Sequence, residues 1–178
     1  MKRNFSIFSA AVLVVFVVGC GKKEAGPGKD WSGKPLKTVA GTVNKVAFTI
    51  DLPEQMKKDS ASSELTMMWK ADMSDYFSEP SAMVSYASIP AKNMADFKKY
   101  NFVGKKEVIA KEKELDGKKG FLLIHHTKNK GLLTVLALHF KDGKALSCRA
   151  SQAKGGGVPN FTATMAWLEK ICMSVKFK

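Results

Sequence analysis

The sequence predicts an α+β domain, in which an antiparallel β-sheet is covered by a C-terminal amphipathic helix. Four strand-like runs follow one another over 108–115, 120–127, 132–140 and 145–150. Two of their connections contain Asp-Gly, which is typical of tight hairpins because both central residues of such a turn take positive φ. Consecutive strands with few helices between them indicate an antiparallel meander.

The final helix is predicted from an apolar stripe between Pro159 and Val175. Apolar residues recur there every three or four positions, which is the spacing of one helix face. The stripe consists of Phe161, Met165, Leu168, Ile171, Cys172 and Val175. Asn160 precedes the stripe and is the expected N-cap. Because such a helix must bury its apolar face, we expect it to lie across the sheet.

The first half of the domain is predicted to hold three further strands and a short helix. Apolar patterning indicates strands over 43–52, 65–69 and 83–89. Asn93 is the predicted N-cap of the short helix. Asp96 lies in its first turn, where the helix dipole favours an anion.

Residues 1–19 have the pattern of an export signal. Lys2 and Arg3 form a basic start, and the apolar run over 7–18 is too short to span a bilayer, which needs roughly 20 helical residues. The run ends in VVGC, which resembles the lipobox of bacterial lipoproteins. In that family the cysteine, here Cys20, becomes the first residue of the mature protein and carries the acyl chains.

The lipobox resemblance implies a location in the bacterial cell envelope. Gly21 stands where enteric bacteria place the aspartate that retains a lipoprotein in the inner membrane, so the resemblance points to the outer membrane, with the domain in the periplasm. The inner membrane and the cell surface stay open as alternatives. Residues 20–37 are rich in Gly, Pro and Lys and predict a flexible tether, while 38–178 are long enough for one domain.

The chain is strongly basic, and its formal net charge of +13 falls to +11 when the leader is removed with Lys2 and Arg3. Arg149 is then its single arginine, whereas specific recognition of phosphates and bases favours the bidentate guanidinium. We therefore expect no nucleic-acid partner. A solvated lysine surface with weak, salt-screened attraction to anionic surfaces fits the composition better.

The order of elements is similar to that of the PsbP-like superfamily. The resemblance spans about 43–177 and depends on the phrase AFTIDLP, in which a strand runs into Pro53, followed by a helix, the meander and the final helix. It implies an α/β/α sandwich and a role in binding or assembly. No catalytic residue is carried over by it.

Cys148 and Cys172 are predicted to form a disulfide. Cys148 shares a strand face with Leu146 and Ala150, while Cys172 lies on the apolar stripe of the final helix. An oxidising envelope compartment permits the bond. Two buried free thiols are the alternative.

The histidines do not form a catalytic or metal-binding pattern. His125 and His126 are adjacent on a strand and therefore point to opposite faces. Pairing across the turn at 128–131 places His139 several residue pairs away from them. Neither GxSxG nor SxxK occurs in the sequence. We expect no enzyme activity, no metal and no cofactor.

A glycine-rich loop precedes the final helix. It consists of Lys154, Gly155, Gly156 and Gly157. Such a segment is either a flexible connector or a loop whose amides hold an anion or another ligand at the start of the helix.

Three functions fit the sequence. The leading hypothesis is a non-enzymatic, lipid-anchored module that binds or assembles with another envelope protein. The alternative is a periplasmic carrier or sensor of a small anionic or apolar ligand, in a pocket between the sheet and the final helix that is lined by Phe161 and Trp167. The third is an enzyme with a dispersed site. A concave pocket favours the second or third function, and a flat apolar patch favours the first.

Overall fold

The computed structural model describes residues 30–71, 80–88, 90–101, 103–104, 106–153 and 157–178. The predicted leader, Cys20 and the first part of the predicted tether lie outside the described residues. The described chain forms ten strands, a short 3-10 turn and two α-helices. In chain order they are β1 (Leu36–Val43), β2 (Val46–Pro53), β3 (Lys57–Lys58), β4 (Thr66–Lys70), β5 (Ser81–Tyr86), α1 (Met94–Tyr100), β6 (Glu107–Leu115), the 3-10 turn (Asp116–Lys118), β7 (Gly120–Thr127), β8 (Leu132–Lys141), β9 (Lys144–Ala153), α2 (Phe161–Met173) and β10 (Lys176–Phe177).

The strands form two antiparallel sheets, which confirms the predicted α+β class. The large sheet has seven strands in the order β3-β4-β5-β9-β8-β7-β6, and the small sheet has three in the order β1-β2-β10. The meander from β6 to β9 is confirmed, and His125 pairs with Thr134 as the turn at 128–131 predicts. At the β8–β9 connection, Asp142 and Gly143 take φ values of 50° and 72°, as a tight hairpin requires.

The large sheet is covered on both faces. Helix α2 and the small sheet pack on one face, where Ile124, Val135 and Cys148 belong to the main core. Helix α1 packs on the other face, where Phe97 contacts a second cluster that contains Leu123 and Leu136. Because β8 is central and buried on both faces, its sequence is almost continuously apolar rather than alternating.

Alternating charges on the edge strand β6 form exposed ion pairs with the helices on the two opposite faces. Lys111 Nζ lies 2.6 Å from Glu169 Oε1 on α2, and Glu112 Oε2 lies 2.9 Å from Lys98 Nζ on α1. Consecutive residues of a strand point to opposite faces, so the neighbours Lys111 and Glu112 each contact a different helix. None of the helices in the described part of the chain has the length and apolar character needed to cross a bilayer.

The predicted tether over 20–37 extends too far into the domain. Of its described residues, Trp31 is only 6% exposed and belongs to the main core, and β1 begins at Leu36. The predicted first strand over 43–52 is in fact divided by a two-residue turn. Asn44 and Lys45 have φ values of 44° and 63° there, so Val43 pairs with Val46 across a hairpin. The second residue of this turn is lysine, whereas glycine is typical at that position, so the sequence lacks the usual hairpin signal there.

One of the two predicted N-caps is confirmed. Asn93 Oδ1 accepts a hydrogen bond of 2.8 Å from the amide of Asp96, which fixes the start of α1. Asn160 precedes α2 but does not cap it, which corrects the prediction. Its backbone is left-handed, with φ of 43°, and its side-chain amide donates instead to Asp30 Oδ2 at 3.1 Å.

Candidate functional site

The disulfide between Cys148 and Cys172 is present, as predicted. The two Cα atoms lie 5.4 Å apart, and both side chains are fully buried. The bond joins the middle of β9 to the last turn of α2. It therefore fixes the C-terminal end of α2 against the large sheet.

His139 connects this end of the helix to β8. Its Nε2 lies 2.9 Å from the carbonyl oxygen of Cys172, and because a carbonyl only accepts, the ring nitrogen donates. Burial lowers the pKa of His139 below its ordinary value, while the bond to Cys172 acts in the opposite direction. In the neutral ring Nδ1 then carries the free lone pair.

A groove of about 610 Å³ opens beside His139, and we call it the terminal groove. Its floor is mostly apolar and is contributed by β6, β8, the end of α2 and β10. The floor residues are Leu115, Phe140, Met173, Val175 and Phe177. Met173 is 37% exposed, so part of this apolar surface faces solvent.

Ser174 positions the chain that forms one wall of the terminal groove. Its hydroxyl donates to the carbonyl of Ile171 at 2.6 Å and accepts from the amide of Asp51 at 2.7 Å. These two bonds end α2 and attach it to β2. Phe177 then pairs with Phe48 in the small sheet, which places its ring at the groove.

Lysines form the rim of the terminal groove. Lys113, Lys119 and Lys141 line it, and Asp116 is the one acidic residue among its lining residues. All three lysines are exposed. Among the described residues, no carboxylate forms an ion pair with any of them. The groove therefore combines an apolar floor with a net positive charge of its side chains.

Two smaller grooves adjoin it around the β8–β9 hairpin. One, of about 360 Å³, is lined by Lys118 and Lys144, and the other, of about 190 Å³, by Lys45 and Lys178. Lys141 lines all three grooves. Lysines that are far apart in the sequence thus converge on one end of the domain.

The predicted pocket residues lie elsewhere. Trp167 is buried and donates to the carbonyl of Lys34 at 3.2 Å. Phe161 packs edge-on against His126, with ring centroids 5.0 Å apart, and Lys130 Nζ lies 5.0 Å from its centroid. The terminal groove therefore lies at the C-terminal end of α2, whereas Phe161 and Trp167 make contacts within the domain outside that groove.

The remaining sequence candidates are not brought into the terminal groove. His125 is buried and points away from His126, as expected, and burial lowers its pKa. Lys154, Gly155 and Gly156 lie outside the described residues, and Gly157 has a φ of 101° in open space. Among the described residues, no group of three His, Cys, Asp or Glu side chains could hold a metal ion.

No protein-family model matches the chain, and no curated protein matches it. A solved structure from Bacteroides thetaiotaomicron aligns with a TM-score of 0.43 at 10% identity, covering 82% of this chain and 48% of that one. The chain thus spans about half the length of that protein. A protein of unknown function from Pseudomonas aeruginosa aligns with a TM-score of 0.37 at 13% identity, covering 67% of this chain and 85% of that one.

Proposed function

We propose that this protein is a lipid-anchored, non-enzymatic binding protein of the bacterial cell envelope, and that its terminal groove holds a small ligand with an apolar body and an anionic group. The observation that carries the proposal is the rim of unpaired lysines around an apolar floor. A concave groove favours the carrier or sensor hypothesis over a module that only assembles with another protein.

The chemistry of the two parts of the groove defines the ligand class. The side chains of Met173, Phe177 and Leu115 offer apolar contact, which favours an alkyl chain or ring. Lys113, Lys119 and Lys141 offer flexible ammonium groups, which suit a carboxylate or phosphate at the mouth. The volume of about 610 Å³ lies within the range of small-molecule sites.

The anchor and the location are part of the proposal. The VVGC pattern ending at Cys20 supports lipidation, and Gly21 supports the outer membrane with the domain in the periplasm. Each buried CH₂ of an acyl chain contributes about 0.8 kcal/mol to membrane binding, so two or three chains would hold the protein stably. Helices on both faces of the large sheet support a relationship to the PsbP-like α/β/α sandwich.

The groove is tested with a fluorescent fatty acid, dansyl-undecanoic acid, and with the neutral alcohol of the same chain length. We expect saturable binding of the acid and weaker binding of the alcohol. Met173→Asp should weaken binding of the acid at least about tenfold, because it places a carboxylate on the apolar floor. Leu65→Asp, an exposed residue outside the groove, is the matched control.

Two results would overturn this assignment. One is the absence of saturable binding to the wild-type protein. The other is equal loss of affinity in Met173→Asp and Leu65→Asp.

The anchor is tested separately by labelling cells with a fatty-acid analogue. The Cys20→Ser variant should lose the label and leave the membrane fraction. If the variant keeps the label or fractionates like the wild type, lipidation at Cys20 is excluded.

A further inference from the structure

Several turns at one end of the domain carry lysines. The β1–β2 turn brings Lys45, the 3-10 turn brings Lys118, the β8–β9 hairpin brings Lys144, and the chain after β10 brings Lys178. These four lysines lie outside the terminal groove, whose own rim adds three more. We call the surface formed by all seven the cationic end.

Positive side chains outnumber acidic ones at the cationic end. Asp116 and Asp142 are the acidic side chains among the described residues that line the three grooves, so seven lysines face two aspartates and the side-chain charges sum to +5. No ion pair to these lysines occurs within the described residues. Elsewhere Lys98, Lys111 and Lys70 each pair with a carboxylate.

We propose that the cationic end docks on a bilayer that contains anionic phospholipids, so that the terminal groove opens against the lipid. A bilayer presents a layer of negative headgroups above an apolar layer. The cationic end has the matching order, with lysine ammonium groups around the exposed apolar side chain of Met173. A hydrated polyanion would match the lysines but not the apolar floor.

The side-chain type also favours a membrane. Lysine is a strongly hydrated point charge that interacts with a diffuse anionic surface without fixed geometry, whereas phosphate recognition in nucleic acids favours the arginine fork. All the positive residues of the cationic end are lysines. The structure adds to the expected solvated lysine surface, because it places the lysines of separate turns side by side.

The test uses the mature chain with Cys20→Ser, so that no acyl chain contributes to membrane binding. Co-sedimentation is measured with vesicles of phosphatidylcholine that contain one third phosphatidylglycerol, and with pure phosphatidylcholine, at low ionic strength. The variant Lys45→Gln/Lys118→Gln/Lys144→Gln/Lys178→Gln removes the four lysines outside the groove. The variant Lys34→Gln/Lys57→Gln/Lys58→Gln/Lys128→Gln removes the same charge from exposed sites away from the three grooves.

Each lysine near an anionic surface contributes roughly a fivefold gain in partitioning. The first variant should therefore bind the anionic vesicles at least about fiftyfold more weakly, while the second stays within about fivefold of the parent chain. Equal losses in both variants would overturn the proposal, because only net charge would matter. So would the absence of binding to anionic vesicles, or stronger binding to heparin than to them.

This proposal and the proposed function can fail independently. The four substituted lysines lie outside the terminal groove, so the first variant should still bind dansyl-undecanoic acid with an affinity close to that of the parent. Loss of vesicle binding with retained fatty-acid binding supports the docking surface. Loss of both in this variant would contradict the separation between the two sites.

Discussion

The two ends of helix α2 use their polar groups in different ways. At the N-terminal end, Asn160 donates to Asp30, and Lys130 lies over the ring of Phe161. The hydrogen bonds of Ser32, followed by that of Asn160, hold the pKa of Asp30 below its ordinary value. At the C-terminal end, the lysines around the groove have no such partners among the described residues.

This contrast separates residues that serve stability from residues that are free to bind. A cation that contacts a carboxylate or a ring within the domain already has a partner. A lysine that borders an apolar groove without a partner raises the local potential and attracts an anion. We therefore attribute the polar contacts at the N-terminal end of α2 to the fold, and the proposed ligand site lies at its C-terminal end.

The largest effect is expected at Gly120, the first residue of β7. Its φ is 146°, and a Cβ there would overlap the backbone carbonyl of Leu138, which cannot move without breaking the β7–β8 pairing. Gly120→Ala should cost at least about 4 kcal/mol in the free energy of unfolding, measured with urea.

Gly143→Ala is the control for this substitution. Gly143 also has a positive φ, of 72°, but a Cβ there would meet no atom within 4 Å. The substitution should therefore cost about 1 kcal/mol in the free energy of unfolding. Similar losses in the two variants would mean that Gly120 is not in close contact with β8.

The second effect concerns the disulfide. Cys148 and Cys172 are separated by 24 residues, and closing a loop of this length should stabilise the fold by about 3 kcal/mol. The double variant Cys148→Ala/Cys172→Ala should lose that stability, measured by denaturant unfolding. Because the disulfide fixes the end of α2 that carries Met173, the variant should also bind dansyl-undecanoic acid more weakly while still folded. Unchanged stability in the double variant would show that the bond is not formed in the protein.

The third effect tests the start of the domain, near the N-terminal end of α2. Trp31→Ala should cost about 2 kcal/mol, less than is usual for a buried aromatic ring, because it also removes an indole N–H that is buried without a partner in the described chain. The fragment 30–178 should likewise be more stable than 38–178 in thermal unfolding. Equal melting temperatures of the two fragments would restore the longer tether that the sequence suggested.

The smallest effect is a dependence of stability on pH. Burial holds the pKa of His125 below 6.5, opposed by Glu107 and assisted by Arg149 and His126. The unfolded chain then binds more protons than the folded one between that lowered pKa and about 6.5. Stability should be fully present above pH 6.5 and fall as the pH is lowered through this window.

His125→Leu should flatten part of this slope. Thr134→Val, at the paired position on β8, removes a non-titrating polar group and should leave the slope unchanged. Denaturant unfolding at several pH values gives the comparison. A slope that is identical in the wild type and His125→Leu would show that this imidazole is not held neutral by burial.

The sequence predicted the meander, both helices and the disulfide because their signals are local. Apolar runs separated by turn residues indicate β6 to β9, and the apolar stripe of α2 places Cys172 toward the sheet. At the β6–β7 turn, positive φ falls on Gly117 and Lys118 rather than on Asp116 and Gly117. Strand β1 was missed because it buries little more than Val43 on its own and depends on pairing with β2. Trp31 was missed because no periodic pattern surrounds it.

The candidate site could be predicted only in outline. The sequence predicts a pocket between the sheet and the final helix at Phe161 and Trp167, because these are the larger side chains. Both residues make other contacts, and the groove lies at the C-terminal end of α2. The terminal groove is assembled from four elements that are distant in the sequence. The convergence of Lys119 and Lys141 follows from the β7–β8 register, which brings the two ends together, and no local motif reports it.

The most direct test of this account is a map of where an anionic amphiphile binds. Backbone amide resonances of the mature chain with Cys20→Ser are followed by NMR while dodecanoate is added below its micelle concentration. The account predicts saturable shifts at Leu115, Phe140, Met173 and Phe177, and none at Lys130 or Phe161. Shifts concentrated at the N-terminal end of α2, or spread evenly over the domain, would contradict it.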